Sequence, residues 1–301
     1  MKQLGKNLWQ HRAYVIMSIP VVLILIFFSY VPMAGLTLAF KKFDYTLGLW
    51  KSPWVALDNF KFLLSSKKTF LTMTKNTLFY YVIFTTIGTF LNIVLAIAID
   101  QCIFKKLSKA MQSIMIIPVF ISYAAVQFVV YAYLNSSTGM VNGMFGLSTK
   151  WYMEAQYWPV ILTIVKVWNS VGYGSILYMS VLSGIDQEQY EAARIDGANK
   201  WQQIKYITIP SLIPMVTIML LLSVGGIMHS DTGLFYQVTR NSSMLYDTTQ
   251  VIDSYILNSI FTSSNFGFTA AASLFQSLVG TVLIVVSNLF VRKTAPENAL
   301  F

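Results

Sequence analysis

Long apolar runs separated by short polar intervals form the main pattern of this chain. Each run is about as long as the ~20 residues that a helix needs to cross the hydrocarbon core of a bilayer. The pattern predicts an all-α integral membrane protein, a single domain over residues 1–301, with six transmembrane helices. The predicted spans are residues 13–40, 77–99, 111–134, 159–182, 211–228 and 266–291.

Prolines and polar intervals refine this prediction. Pro20 and Pro32 fall inside the first span and Pro118 falls inside the third, so we expect kinks or shortened helices there. The intervals 135–157 and 230–265 hold turn-forming and charged residues between apolar runs. We therefore expect both intervals to be polar loops that join neighbouring spans.

Composition agrees with a membrane protein. Only 11% of the 301 residues are charged, whereas soluble domains average near 25%. The net charge of +9 fits lysines that face anionic lipid headgroups, and no nucleic-acid partner is expected. The single cysteine, Cys102, excludes an intramolecular disulfide. The first apolar run is too long for a cleaved signal peptide, so we expect it to remain as a span in the plasma membrane.

The polar interval at residues 184–210 predicts a helix–turn–helix outside the membrane. Good helix formers begin at Glu191. Gly197 interrupts them and suits a turn that needs a positive φ or a close approach of the backbone. Pro210 suits the first turn of a new helix, where its missing N–H is not needed.

This interval resembles the EAA loop of ABC importer permeases. The family spacing is Glu-Ala-Ala, three residues, Gly, nine residues, Ile, one residue and Leu-Pro, with Ile209 here in place of Leu. The resemblance implies a type I importer permease fold, with both termini cytoplasmic and the loop docked on an ATPase subunit. The implied coupling residues are Glu191, Ala192, Ala193, Asp196, Gly197, Ile207 and Pro210.

Two further segments carry the resemblance towards permeases for complex oligosaccharides, the LplB-like group. Leu57-Asp58-Asn59-Phe60 resembles a segment that precedes the second span, although an ordinary amphipathic surface helix would also explain it. The carboxy-terminal region is similar as well. Its matching positions are Ile252-Asp253, Tyr255, Ala270–Ala272, Phe275-Gln276-Ser277, Gly280 and Asn288.

The resemblance implies a non-catalytic subunit of an ATP-driven importer for a sugar, with an oligosaccharide as the expected cargo. The implied partners are a second homologous permease, two ATPase subunits and an extracytoplasmic solute-binding protein. The sequence has no G-x-x-x-x-G-K-[ST] loop, so ATP and magnesium would be bound by the ATPase subunits and no cofactor by this chain. Two histidines are too few for a typical metal cluster, and no catalytic constellation is evident.

Other functions stay open at this point. The same architecture could import an amino acid, phosphate or a polyamine. A membrane-embedded enzyme should show carboxylate or histidine clusters in its spans, and a passive channel would not require a docking loop. Lysine and arginine are nearly evenly divided between the two sides of the predicted topology, so the EAA resemblance alone decides the orientation.

Uncharged polar and aromatic residues within the spans are the candidates for a sugar path. Amides suit sugar hydroxyls and aromatic rings suit sugar C–H faces, but hydrogen bonds between helices would also explain such residues. The candidates are Trp168, Asn169, Tyr173, Gln127, Tyr131 and Gln276. Lys166 predicts either snorkelling or a partner carboxylate. His229 predicts a helix end or a substrate contact.

Overall fold

The computed structural model describes residues 11–61, 67–263, 265–294 and 296–299. Within these ranges the chain consists of helices and connecting turns, with one isolated antiparallel bridge between Lys41 and Trp54. Five helical stretches are long and apolar enough to cross a membrane, and a bent pair of helices makes a sixth if it counts as one span. The five stretches are Arg12–Phe40, Lys68–Asp100, Ala155–Leu182, Lys200–Val224 and Phe266–Lys293.

The chain forms two compact units, one of residues 1–65 and 259–275 and the other of residues 66–258 and 276–301. The main helices carry the labels α1 to α10 in chain order. They are α1 Arg12–Leu25, α2 Lys67–Asp100, α3 Lys105–Ile116, α4 Tyr123–Leu134, α5 Trp158–Leu182, α6 Gln187–Ile195, α7 Lys200–Gln203, α8 Ile209–Val224, α9 Ile252–Ser263 and α10 Phe266–Thr294.

In the first unit, α1 continues as an irregular helical path to Phe40. The path widens to a π-helix over Ile26–Tyr30, just before Pro32. This is the expected effect of a proline, which leaves the carbonyl four residues earlier without its usual partner. Asn59 then fixes the end of the span, since its side-chain amide lies 2.9–3.2 Å from the carbonyls of Leu38, Ala39 and Lys41. The segment around Asn59 is therefore a structural clamp built on one 3₁₀ turn.

In the second unit, α5 packs closely against α2 and α3. A Cβ at Gly172 would collide with the carbonyl of Met115, and a Cβ at Gly174 would collide with the amide of Asn92. Small residues allow helix backbones to approach in this way inside a membrane. The close approach explains why α5 is the most buried of the candidate spans.

The predicted third span, residues 111–134, is not one continuous helix. The helical run Lys105–Phe120 and the helix α4 meet at an angle of 97°, because the chain leaves helical geometry at Ile121 and Ser122. Pro118 lies just before the break. The carbonyl of Pro118 accepts a 2.8 Å hydrogen bond from the side-chain amide of Asn169 of α5, in addition to a 3.1 Å bond from the N–H of Ile121. The span is thus bent, and a neighbouring helix holds the bend.

The interval 230–265, predicted to be a polar loop, supplies buried core in its described part. It forms a π-helix at Gly233–Val238, short turns and the whole of α9. Its apolar side chains pack with α2, α4 and α5 in a cluster that we call the Trp158 core. The cluster consists of Tyr80, Val126, Val130, Leu134, Trp158, Leu162, Val165, Leu234, Phe235, Val238, Leu245 and Val251.

Candidate coupling and transport sites

The segment that carries the EAA motif, residues 186–210, is shaped by local hydrogen bonds. We call it the coupling segment. Asp186 caps α6 by accepting a 3.0 Å hydrogen bond from the backbone N–H of Glu188. The helix therefore begins four residues before Glu191, earlier than the sequence pattern indicates. Glu191 lies in the second turn of α6 with an exposed side chain.

Gly197 ends α6 in the left-handed conformation, with φ +80°, as the sequence predicts. The N–H of Ala198 donates to Ala193 at 2.8 Å, and the N–H of Gly197 donates to Arg194 at 3.1 Å. This pair of bonds is a Schellman motif, which glycine favours because it has no Cβ. A Cβ at Gly197 would meet open space, so only the backbone conformation opposes a side chain here.

The second helix, α7, begins at a capping box. Asn199 accepts from the N–H of Gln202, and the Gln202 side chain accepts from the N–H of Asn199. The path then runs on through a π-helix at Ile204–Thr208 into α8. Pro210 lies in the first turn of α8, as predicted, but α8 continues the preceding π-helix without a break. It follows a widened turn in which the N–H of Ile209 reaches the carbonyl of Ile204.

A buried contact ties the two helices of the coupling segment together. The hydroxyls of Tyr190 and Thr208 lie 2.9 Å apart, and both residues are buried. Thr208 leads directly into α8, so this contact links α6 to a membrane-spanning helix. The sequence analysis did not select this pair. Hydroxyl residues at such a separation carry no local pattern that would identify them.

Three large apolar side chains of the coupling segment are exposed. Ile195 is 87% exposed, Trp201 73% and Tyr206 67%. Single exposed apolar residues are common, but three on one short helical hairpin make the hairpin a candidate protein interface. Of the predicted coupling residues, Ile207 is half-buried, and its backbone carbonyl accepts a 2.8 Å hydrogen bond from the Ser211 hydroxyl.

The predicted sugar-path residues do not form one site. Trp168 and Tyr173 on α5 are about half exposed, at 46% and 58%. Asn169 is buried and holds the bend at Pro118, which fits the interhelical alternative. Gln276 is also buried, and its amide contacts the carbonyl of Met228.

Gln127 and Tyr131 lie apart from these residues, on α4. The side-chain amide of Gln127 donates to the carbonyl of Ala124 in its own helix at 3.1 Å. The Tyr131 ring stacks edge-on against Tyr152, and the guanidinium of Arg240 lies 4.2 Å from its centre. Burial raises the pKa of Tyr152 to about 12, although the charge of Arg240 opposes the shift. Tyr131 thus belongs to a packed aromatic group near the Trp158 core.

Two cavities lie along α2 in the second unit. One of about 310 Å³ is lined by parts of α2, α5 and α8, including Asn92 and Tyr173. The second, of about 150 Å³, contains Lys166, whose ammonium lies 3.0 Å from the carboxylate of Asp231. Of the two explanations offered for Lys166, the partner carboxylate is the one that the structure shows.

His229 lies just beyond α8, at the rim of the second cavity. Its Nδ1 is 3.5 Å from the carboxylate of Asp253. A hydrogen bond to Asp253 raises the pKa of His229 above its usual 6.5, although partial burial opposes the shift. Asp253 also accepts a 2.6 Å bond from the N–H of Ser230. In the described ranges, no three His, Cys, Asp or Glu side chains are close enough to hold a metal ion.

Comparison with known proteins identifies the class. The family described as "Binding-protein-dependent transport system inner membrane component" matches residues 88–296, so the chain belongs to this family of ABC importer permeases. The chain is therefore a multi-pass membrane protein, and the predicted type I importer permease fold is confirmed.

Several relatives match over almost the full chain. It is 27% identical to Protein LplB of Bacillus subtilis (strain 168), covering 100% of this chain and 93% of that protein. It is 25% identical to the polygalacturonan/rhamnogalacturonan transport system permease YteP of the same organism, covering 99% and 93%. A bacterial ABC transporter that imports the acidic polysaccharide alginate matches in structure, with TM-score 0.87, 28% identity and coverage of 97% and 99%.

Proposed function

We propose that this chain is the permease subunit of a carbohydrate importer and that its coupling segment docks on an ATPase subunit. The supporting observation is the coupling segment itself. Its shape is fixed by its own caps, three of its large apolar side chains are exposed, and the Tyr190–Thr208 contact links it to α8. A rigid element that is exposed on one side and anchored on the other can transmit motion between two sites.

The proposed mechanism alternates between two openings. ATP binding closes the ATPase subunits, which bind ATP and magnesium, and this movement displaces the coupling segment. Because Thr208 continues into α8, displacement of the segment tilts that helix and changes which side of the membrane the path faces. The permease itself performs no chemistry. The proposed orientation has both termini and the coupling segment in the cytoplasm, with a second permease completing the path.

A carbohydrate cargo is supported by two observations. The cavities along α2 combine aromatic rings, hydroxyls and amides, which are the groups that bind sugar faces and sugar hydroxyls. Relatives that match nearly the whole chain are named for polygalacturonan/rhamnogalacturonan transport and for alginate import. We therefore propose an oligosaccharide, delivered by an extracytoplasmic binding protein.

Reconstitution of the complete importer tests the proposed cargo. The permease is purified with its partner permease and ATPases, placed in vesicles, and supplied with the binding protein and candidate solutes. Oligosaccharides should stimulate ATP hydrolysis and accumulate inside, whereas amino acids, phosphate and polyamines should not. Stimulation by one of those solutes without stimulation by any sugar would refute the proposed cargo.

A matched pair of tryptophan variants tests docking alone. Trp201 and Trp50 are equally exposed at 73%, but only Trp201 belongs to the coupling segment. Trp201→Ala should reduce copurification of the ATPase subunits, because it removes an exposed anchor. Trp50→Ala should retain them. Equal retention by both variants would remove the coupling segment from the ATPase interface.

A further inference from the structure

The ion pair between Lys166 and Asp231 lies at an unusual depth. Lys166 is the only charged residue of α5, and it is eight positions after Trp158, or ~12 Å along the helix. A charge within a membrane span is costly and is retained where it faces a cavity or has a function. Both side chains are still partly exposed, at 27% and 32%, and both line the cavity of about 150 Å³. The pair is therefore open to a ligand in that cavity.

The rest of the lining suits one sugar residue. Tyr81 and Phe84 are partly exposed and supply aromatic surface, which packs against the C–H faces of a pyranose ring. Thr85 and Ser230 add hydroxyl groups to the same lining. The cavity thus combines rings, hydroxyls and an ammonium.

The cation gives this cavity its selectivity. A lysine ammonium has three N–H donors, and Asp231 Oδ2 is the one described acceptor that contacts it. We propose that this cavity binds a uronic acid residue of an acidic oligosaccharide, with Lys166 pairing its carboxylate in place of Asp231. This proposal rests on the proposed function, since it specifies the cargo of the same permease.

The exchange of one carboxylate for another explains why binding would be weak and reversible. In the ligand-free state Asp231 neutralises Lys166, so the cation does not remain unpaired inside the protein. An arriving uronate replaces an existing ion pair and gains little net energy, which suits a cargo that must leave again. His229 also lines this cavity, and the neighbouring Asp253 carboxylate pairs with it.

Two oligosaccharides that differ only in their carboxyl groups test the role of the carboxylate in binding. Vesicles with the complete importer and its binding protein are supplied with oligogalacturonate or with the same oligosaccharide after reduction of its carboxyl groups. The readout is the ratio of acidic to neutral uptake, because the binding protein and the ATPase subunits contribute equally to every permease variant. Lys166→Gln should lower this ratio about tenfold or more, since it removes a charge-assisted hydrogen bond.

Variants of Asp231 distinguish a ligand-binding role of the Lys166–Asp231 pair from a structural role. Asp231→Asn should keep or raise the ratio, because Lys166 then has no internal competitor, and the double variant should behave as Lys166→Gln does. A purely structural ion pair gives a different result. Each single variant would then impair both sugars equally, and the double variant would recover uptake of both.

The outcomes separate this proposal from the proposed function. Uptake of the neutral sugar by the natural chain, with the acidic sugar excluded, overturns the uronate site and leaves the sugar importer intact. An unchanged ratio in Lys166→Gln also overturns the site. Uptake of neither sugar, together with stimulation by a solute other than a sugar, overturns the proposed cargo itself. Membrane insertion and thermal stability of each variant confirm that the uptake values refer to folded importer.

Discussion

The coupling segment and the Trp158 core are built by opposite means. The coupling segment is closed by bonds between residues three to five positions apart, such as those at Gly197 and Asn199. The Trp158 core depends on contacts between distant parts of the chain. Tyr80 donates to the carbonyl of Thr248, 168 residues away, and Thr248 donates to the carbonyl of Ala155, 93 residues away.

The two regions also differ in the exposure of their apolar side chains. Ile195 and Trp201 of the coupling segment face solvent, whereas Trp158 and Leu234 of the core are fully buried. The core therefore contributes to the stability of the permease, and the coupling segment keeps its shape with little help from the rest of the fold. A locally shaped element can move as a unit without unfolding, which is the property that a transmitter of motion needs.

The largest expected effect is on stability, at the Trp158 core. Leu234→Ala should lower the free energy of unfolding by about 2–5 kcal/mol, because it leaves a cavity where a fully buried side chain was. Thermal unfolding of the purified importer measures this. Leu222→Ala, at a residue that is 52% exposed, is the control and should cost much less. Similar losses in both variants would contradict the assignment of the core.

The next effect is on coupling, at Gly197. Gly197→Asp should insert normally, but binding-protein-stimulated hydrolysis and uptake should fall together by about tenfold, or roughly 1.4 kcal/mol of docking free energy. Gly146 is a matched control, because it also ends a short helix at positive φ with open space beside it. Gly146→Asp has a similar backbone cost of about 1–2 kcal/mol but should transport normally. Equal loss of transport in both variants would show that backbone strain, not docking, is responsible.

A smaller effect is expected at the buried contact inside the coupling segment. Tyr190→Phe and Thr208→Val should each cost about 1 kcal/mol, because each removes one partner of a buried hydrogen bond. The double variant should cost less than the sum of the two, since the contact is shared. Thermal unfolding and stimulated ATP hydrolysis are measured for the two single variants and the double variant. Fully additive losses would mean that the two hydroxyls act independently.

The smallest effect concerns pH, at His229. Because the pKa of His229 is raised by Asp253, its stabilising contribution is fully present below about pH 6.5 and is lost as the pH rises through the raised value. The difference in thermal stability between the natural chain and His229→Gln should therefore shrink between about pH 6 and about pH 9. His11→Gln, outside this pair, should leave that difference unchanged. A difference that grows with pH would show that the shift has the opposite sign.

The sequence by itself determined the class and the local geometry. Apolar runs of about 20 residues predict membrane spans, because a helix is the structure that satisfies its own backbone in lipid. The EAA spacing located the coupling segment and predicted the positive φ at Gly197, because a glycine after a short helix ends it through bonds to neighbouring residues. Such features need no information from distant parts of the chain.

Tertiary structure alone decided the rest. The pattern of residues 111–134 is that of one span, but Asn169 holds a bend of 97° at Pro118 from another helix. The charged interval after α8 has the pattern of a loop, yet Leu234 and Phe235 pack into the core, and Asp231 pairs with Lys166 from 65 residues away. In each case the deciding partner lies far along the chain, and hydrophobic periodicity records only how a residue relates to its near neighbours.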